Sequence, residues 1–121
     1  MKRVLIVDDA SVVRMLIKKV LTQADFDVVG EAVNGIDALE KYKELRPDLV
    51  TMDITMPEAD GIQATKDIIA FDAKAKVVML SGIDQKEMLW QAIKAGAVSY
   101  IVKPFENDRI LSTLNEVINS E

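Results

Sequence analysis

The chain has 121 residues, a net charge of −5, and neither cysteine nor histidine. That length suits one domain, which would bury roughly two-thirds of the surface its unfolded chain exposes. The missing residue types exclude disulfides, thiolate metal sites and imidazole bases, and leave carboxylates, hydroxyls and lysines for any chemistry. The acidic balance argues against a nucleic-acid surface as the main role. No apolar run approaches the roughly 20 residues of a membrane span, and the apolar start is too short for a signal peptide. The expectation is a soluble, cytoplasmic domain that contacts neither nucleic acid nor membrane.

Residues 3–7 form a short β-branched and leucine run that stops at Asp8-Asp9, as a strand buried on both faces would. From Ser11 the period changes to 3.6, with Val13, Leu16, Ile17, Val20 and Leu21 on one helical face and Asp9 or Ser11 as N-cap. A second strand follows over 26–32, though it alternates less cleanly. Asn34-Gly35 punctuates it before Ala38, Leu39, Tyr42 and Leu45 resume helical spacing, and Pro47 stops that helix. The stretch 49–53 is the third strand, closed by the lone carboxylate of Asp53; residues 57–61 form a loop, and Ile62, Thr65, Ile68 and Ile69 mark the third helix. A fourth strand over 76–80 ends in Ser81-Gly82, and a fourth helix over about 85–95 stops at Gly96. The fifth strand, 98–102, ends in Lys103-Pro104. The last helix carries Ile110, Leu111, Leu114, Val117 and Ile118, with Asn107 or Asp108 to cap it. Five βα units without a break imply an α/β fold, a single doubly wound (βα)5 parallel sheet covered on both faces with right-handed crossovers.

Ligands of such sheets bind beyond the carboxyl ends of the strands, where strand order reverses. In the flavodoxin-like order 2-1-3-4-5, adopted by analogy with known folds of this class, Asp8, Asp9 and Asp53 converge in one crevice. Ser81 and Lys103 come from the ends of strands four and five. Burying a carboxylate costs several kcal/mol unless a cation or hydrogen-bond donors meet it. Three carboxylates in contact repel, so a cation belongs among them, and oxygen ligands select a hard one such as octahedral Mg²⁺. Lys103 brings a mobile ammonium and Ser81 a hydroxyl donor. Together these supply the positioning and charge neutralisation of phosphoryl transfer, with Asp53 as nucleophile.

Val-Asp8-Asp9, Met-Asp53-Ile-Thr55-Met-Pro57, Asp60-Gly61, Leu-Ser81-Gly82 and Tyr100-Ile-Val-Lys103-Pro104 together resemble the receiver domains of two-component response regulators. The resemblance covers residues 1–121 as a single receiver domain and is strongest to stand-alone chemotaxis regulators, which are themselves known examples of the 2-1-3-4-5 order. It implies that Asp53 is the phosphoacceptor, that Asp9 and Asp53 ligate Mg²⁺ directly, that Asp8 acts through water, and that the Thr55 carbonyl is the remaining protein ligand. Further implications are a phosphohistidine on a sensor histidine kinase as donor, self-assisted phosphorylation and autodephosphorylation, and a cis peptide at Lys103-Pro104. The protein would then be a signalling switch rather than an enzyme.

Ser81 and Tyr100 resemble the family's switch pair, in which the hydroxyl moves onto the phosphoryl group and the ring swings inward. Met88, Leu89, Trp90, Ala92, Ile93 and Ala95 spread over more than one face of helix four, so some of Met88, Leu89 and Trp90 must be exposed and are expected to anchor a downstream target, such as the flagellar motor switch, on the helix 4/strand 5/helix 5 surface. A phosphatase is a further expected partner. Gly82 replaces the usual alanine after the switch hydroxyl, and Ala59 stands where methionine is common. Thr55 and Ile83 flank the expected water path to the phosphoryl group. A flavodoxin-like electron carrier is disfavoured because Asp8-Asp9 would repel its phosphate, and an aspartyl phosphatase because Thr55 occupies the place of its second Asp. The remaining alternative is a receiver excised from a larger transcription factor or effector enzyme.

Overall fold

A computed structural model of the chain describes residues 1–56 and 60–120; Pro57 and Ala59, named above, lie outside the described residues. The chain alternates strand and helix throughout: β1 (Lys2–Val7), α1 (Ser11–Gln23), β2 (Phe26–Ala32), α2 (Gly35–Leu45), β3 (Leu49–Asp53), α3 (Gly61–Phe71), β4 (Val77–Gly82), α4 (Lys86–Lys94), β5 (Ser99–Lys103) and α5 (Asn107–Asn119). All strand pairs are parallel, in the order β2-β1-β3-β4-β5. The expected doubly wound fold is therefore the observed one, with β1 and β3 adjacent at its centre.

Because successive strand residues point to opposite faces, the sheet builds two separate apolar layers. Val7, Val50, Met52, Ile54, Ile68 and Met79 fill the layer under α2, α3 and α4. Val4, Ile6, Ile17, Leu80, Ile101 and Leu114 fill the layer under α1 and α5. Every residue of β3 is buried. Each fully buried aliphatic side chain contributes about 1.5–3 kcal/mol relative to exposure, so Leu49, Val50 and Met52 anchor the strand that delivers Asp53.

Several boundaries differ from the sequence expectation for identifiable reasons. The weak alternation of β2 reflects a bulge: Val4 pairs with Val28 but Leu5 with Gly30, leaving Val29 without an opposite residue. β4 and β5 run further toward their carboxyl ends than their apolar runs, because Ser81 and Gly82 remain paired with Val102 and Lys103. Neither Asp9 nor Ser11 caps α1. Ala10 occupies the N-cap without a side-chain bond, while the Asp8 carboxylate accepts the Ala10 N–H at 2.9 Å and holds the turn from outside the helix. Likewise α5 starts after Glu106 with no side-chain cap, and Asn107 and Asp108 lie inside its first turn. Asn34 and Asp60 do cap α2 and α3, accepting from Asp37 N–H and Gln63 N–H.

Candidate functional site

The site sits at the carboxyl edge of the sheet, where β1 and β3 end side by side. Asp8 leaves β1 with its N–H bonded to the Ala32 carbonyl and its side chain 1% exposed, whereas Asp9 faces solvent. Asp53 closes β3 with 7% exposure. One carboxylate oxygen from each of Asp8, Asp9 and Asp53 lies within 4.8 Å of the others. Lys103, at the end of β5, reaches over β4 to place its ammonium 3.2 Å from Asp53 Oδ1 and 3.5 Å from Asp8 Oδ2. The Ser81 hydroxyl is buried and has no hydrogen-bond partner among the described residues. Thr55 lies exposed in the segment after β3.

Burial pushes the Asp53 carboxyl above the usual carboxylate range, and the neighbouring Asp8 charge raises it further. Lys103 opposes both effects without cancelling them. The arrangement therefore holds more negative charge than its own lysine neutralises. Three carboxylates with an oxygen-only donor set match a hard divalent cation, and the lysine already marks where positive charge is wanted.

Two further features hold this geometry that the strand-end pattern does not reveal. Arg14 of α1 donates to the Asp8 carbonyl at 2.7 Å and to Glu31 of β2 at 3.0 Å, tying the acid-bearing turn to the sheet. Gly61 donates its N–H to the Ile54 carbonyl at 2.8 Å and packs so closely that a Cβ there would fall 2.0 Å from the Asp53 carbonyl oxygen. Charged residues on a helix read as a solvated face, so only the Asp60-Gly61 pair carried a sequence signal.

Sequence comparison decides the family. The profile of the response regulator receiver domain matches residues 4–115. The chain belongs to that family. This receiver domain is 55% identical over 116 residues to the chemotaxis protein CheY of Thermotoga maritima, an alignment covering 96% of this chain and 97% of that one. It is 56% identical over 117 residues to CheY of Bacillus subtilis, covering 97% and 98%. A chain of the crystal structure of the CheX–CheY–BeF3–Mg²⁺ complex from Borrelia burgdorferi superposes with a TM-score of 0.93 at 33% identity, covering 98% of this receiver and 90% of that chain. The receiver is thus a two-component signalling protein similar to chemotaxis CheY over nearly its whole length. Among the described residues, no helix is long and apolar enough to cross a membrane.

The far end of β4 and α4 presents the candidate output surface. Trp90 is 65% exposed and Tyr100 47%, so the ring expected to swing inward faces outward here. Met88 and Leu89 are half-buried and pack against the layer under α4, which leaves Trp90 as the exposed member of that trio. Lys86, Leu89, Trp90, Ile93 and Tyr100 line a groove of about 320 Å³.

Proposed function

We propose that Asp53 is the phosphoacceptor of this receiver and that its phosphorylation resets the α4–β5–α5 surface for a chemotaxis target. The observation that carries the proposal is a buried carboxylate at the end of the central strand, flanked by Asp8, Asp9 and the Lys103 ammonium. An Asp53 oxygen attacks the phosphorus of a phosphohistidine on a sensor kinase. The P–N bond breaks as the P–O bond of an acyl phosphate forms, and the imidazole stays with the kinase. The chain lacks histidine, so the donor imidazole must belong to the partner. Asp9 and Asp53 directly, Asp8 through water and the Thr55 carbonyl would hold Mg²⁺, which when bound supplies neutralisation of the transferring phosphoryl charge. Lys103 pairs with Asp53 at rest and with a phosphoryl oxygen afterwards.

The Ser81 hydroxyl, buried without a partner, is the group available to take another phosphoryl oxygen. Its movement opens room beside Tyr100, which with Ser81, Gly82, Leu89 and Val102 lines a cavity of about 240 Å³. Entry of the ring reshapes the groove around Trp90 and Leu89, where a downstream target such as the flagellar motor switch docks. Loss of the phosphoryl group by autodephosphorylation, with Thr55 and Ile83 beside the water path, or through a partner phosphatase, returns the receiver to rest. The receiver acts in the cytoplasm, where its kinase and target meet it. Incubation with Mg²⁺ and a small phosphodonor is expected to give an acid-stable, base-labile adduct, absent from Asp53→Asn. An adduct that persists in that variant overturns the assignment.

A further inference from the structure

The side chain of Gln85, immediately before α4, reaches back across the mouth of the site. Its carboxamide oxygen accepts the Gly82 N–H at 2.6 Å, and its nitrogen donates to the Thr55 hydroxyl at 2.7 Å. The amide orientation is fixed at one end, since only the oxygen can accept from a backbone N–H. Gln85 thus ties the β4–α4 turn to a segment 30 residues away in sequence. It makes no capping bond to α4, so its side chain has no competing helical duty. The glycine leaves room for it. A Cβ on residue 82 would stand 3.3 Å from the Gln85 carboxamide oxygen and 3.1 Å from an Asp84 oxygen, closer than ordinary contact. The alanine usual in the receiver motif would press on this seat, which gives the departure at Gly82 a physical correlate.

Ser81 and Gly82 together offer an O–H and an N–H at the end of β4, the strand paired with β3 and Asp53. The hydroxyl has no partner, while the N–H already has Gln85. We propose that Gln85 is a placeholder for the phosphoryl group: its carboxamide oxygen occupies the Gly82 N–H at rest and yields it to a phosphoryl oxygen when Asp53 is modified, freeing the Thr55 hydroxyl in the same movement. The inference rests on Asp53 being the phosphoacceptor. The exchange runs toward the modified state because hydrogen bonds to charged oxygens are roughly twice as strong as those to neutral amides. Gln85 is in this sense a positioning residue. It holds the turn in its resting shape and competes with the incoming group for one donor.

The test uses the full chain with Mg²⁺, acetyl phosphate as phosphodonor and beryllofluoride as an unreactive phosphoryl mimic. With acetyl phosphate, an Asp53 oxygen bonds to phosphorus as the bond from phosphorus to the acetate oxygen breaks and acetate leaves. Gln85→Met keeps the side-chain length and removes both hydrogen bonds, so phosphorylation rate and beryllofluoride affinity are expected to rise about 3- to 10-fold. Gln85→Glu keeps an acceptor for the Gly82 N–H, strengthens it with charge and loses the donor to Thr55, so both quantities are expected to fall by about the same factor. A merely structural role would move the two variants together. Amide hydrogen exchange at Gly82 in the resting protein, faster in Gln85→Met than in the wild type, reads the contact without any phosphorylation. Gln85→Ala replaces the methionine variant if that one does not fold. Both variants within twofold of a wild type that forms the adduct, or both shifted in one direction, overturn the placeholder. No adduct on the wild-type Asp53 overturns the phosphoacceptor assignment and the placeholder with it.

Discussion

The Lys103 ammonium stands 3.2 Å from Oδ1 of Asp53, so the phosphoacceptor rests against a cation from a strand two places away in the sheet. The same ammonium lies 3.5 Å from Asp8, the acid that must also serve a divalent ion. Lys103→Met removes that resident cation. Mg²⁺ affinity, measured by calorimetric titration, is expected to rise severalfold, because no internal charge then competes for the carboxylates. The phosphorylation rate is expected to fall about a hundredfold through loss of a donor aimed at the transferring group. A variant that phosphorylates at the wild-type rate contradicts the role given to Lys103.

Asp53 imposes a pH dependence on stability. Its folded pKa is raised by burial and by Asp8, so between the usual carboxylate value of 3.8 and the raised one the folded chain binds more protons than the unfolded chain. Stability from this group is complete below that window and is lost as pH rises through it. In Mg²⁺-free buffer the wild-type Tm should therefore drop across this window. Asp53→Asn, which carries no charge at any pH, should lack that drop and have the higher Tm at neutral pH. Thermal melts against pH check both, and a neutral-pH Tm for the variant at or below wild type contradicts the sign.

Gly61→Ala is expected to be more damaging than the same change at Gly30, Gly82 or Gly96, where the nearest atoms belong to side chains. The added Cβ would meet the Asp53 carbonyl oxygen at 2.0 Å and the Ile54 Cα at 2.9 Å, both backbone atoms with no rotamer to turn aside. Overpacking of this kind costs about 1–3 kcal/mol or more, and relief requires moving the end of β3. Chemical denaturation should show the loss. The surviving folded fraction should phosphorylate more slowly, because the shift falls on the residue that carries the nucleophile.

Trp90→Ala separates docking from folding. The ring is 65% exposed, so its removal should change stability by less than about 0.5 kcal/mol. Target affinity should fall by about 2 kcal/mol if the ring anchors the partner. Leu89→Asp is a poorer probe, since Leu89 packs against the core beneath α4 and a charge there would threaten the fold itself. Unchanged affinity of the phosphorylated Trp90→Ala variant for its target would remove this surface from the output path.

The strand ends were legible because four of the five strands stop at a polar residue and a parallel α/β sheet gathers such residues on one edge. Asp8, Asp9, Asp53, Ser81 and Lys103 are visible in that way from the sequence alone. The contacts that brace them are not. Arg14 and Glu31 lie on separate elements and look like ordinary surface charge, and Gln85 gives no sign that it folds back 30 residues to Thr55. Helix caps failed for a related reason: Asp9 is the right residue type for α1, but the helix begins at Ser11 and places Ala10, not Asp9, at the N-cap. On α4 the apolar residues were rightly too many for one face, yet which of them stays outside depended on how the helix rolls onto the sheet.

Among the described residues, the two apolar layers share no side chain. Substitutions separated by the whole thickness of a sheet combine nearly independently, so the packing beneath α4 can be recast while that beneath α1 and α5 is left alone. The acids at the strand ends belong to neither interior. A lineage can therefore change which recipient reads the message without rewriting how the message is received.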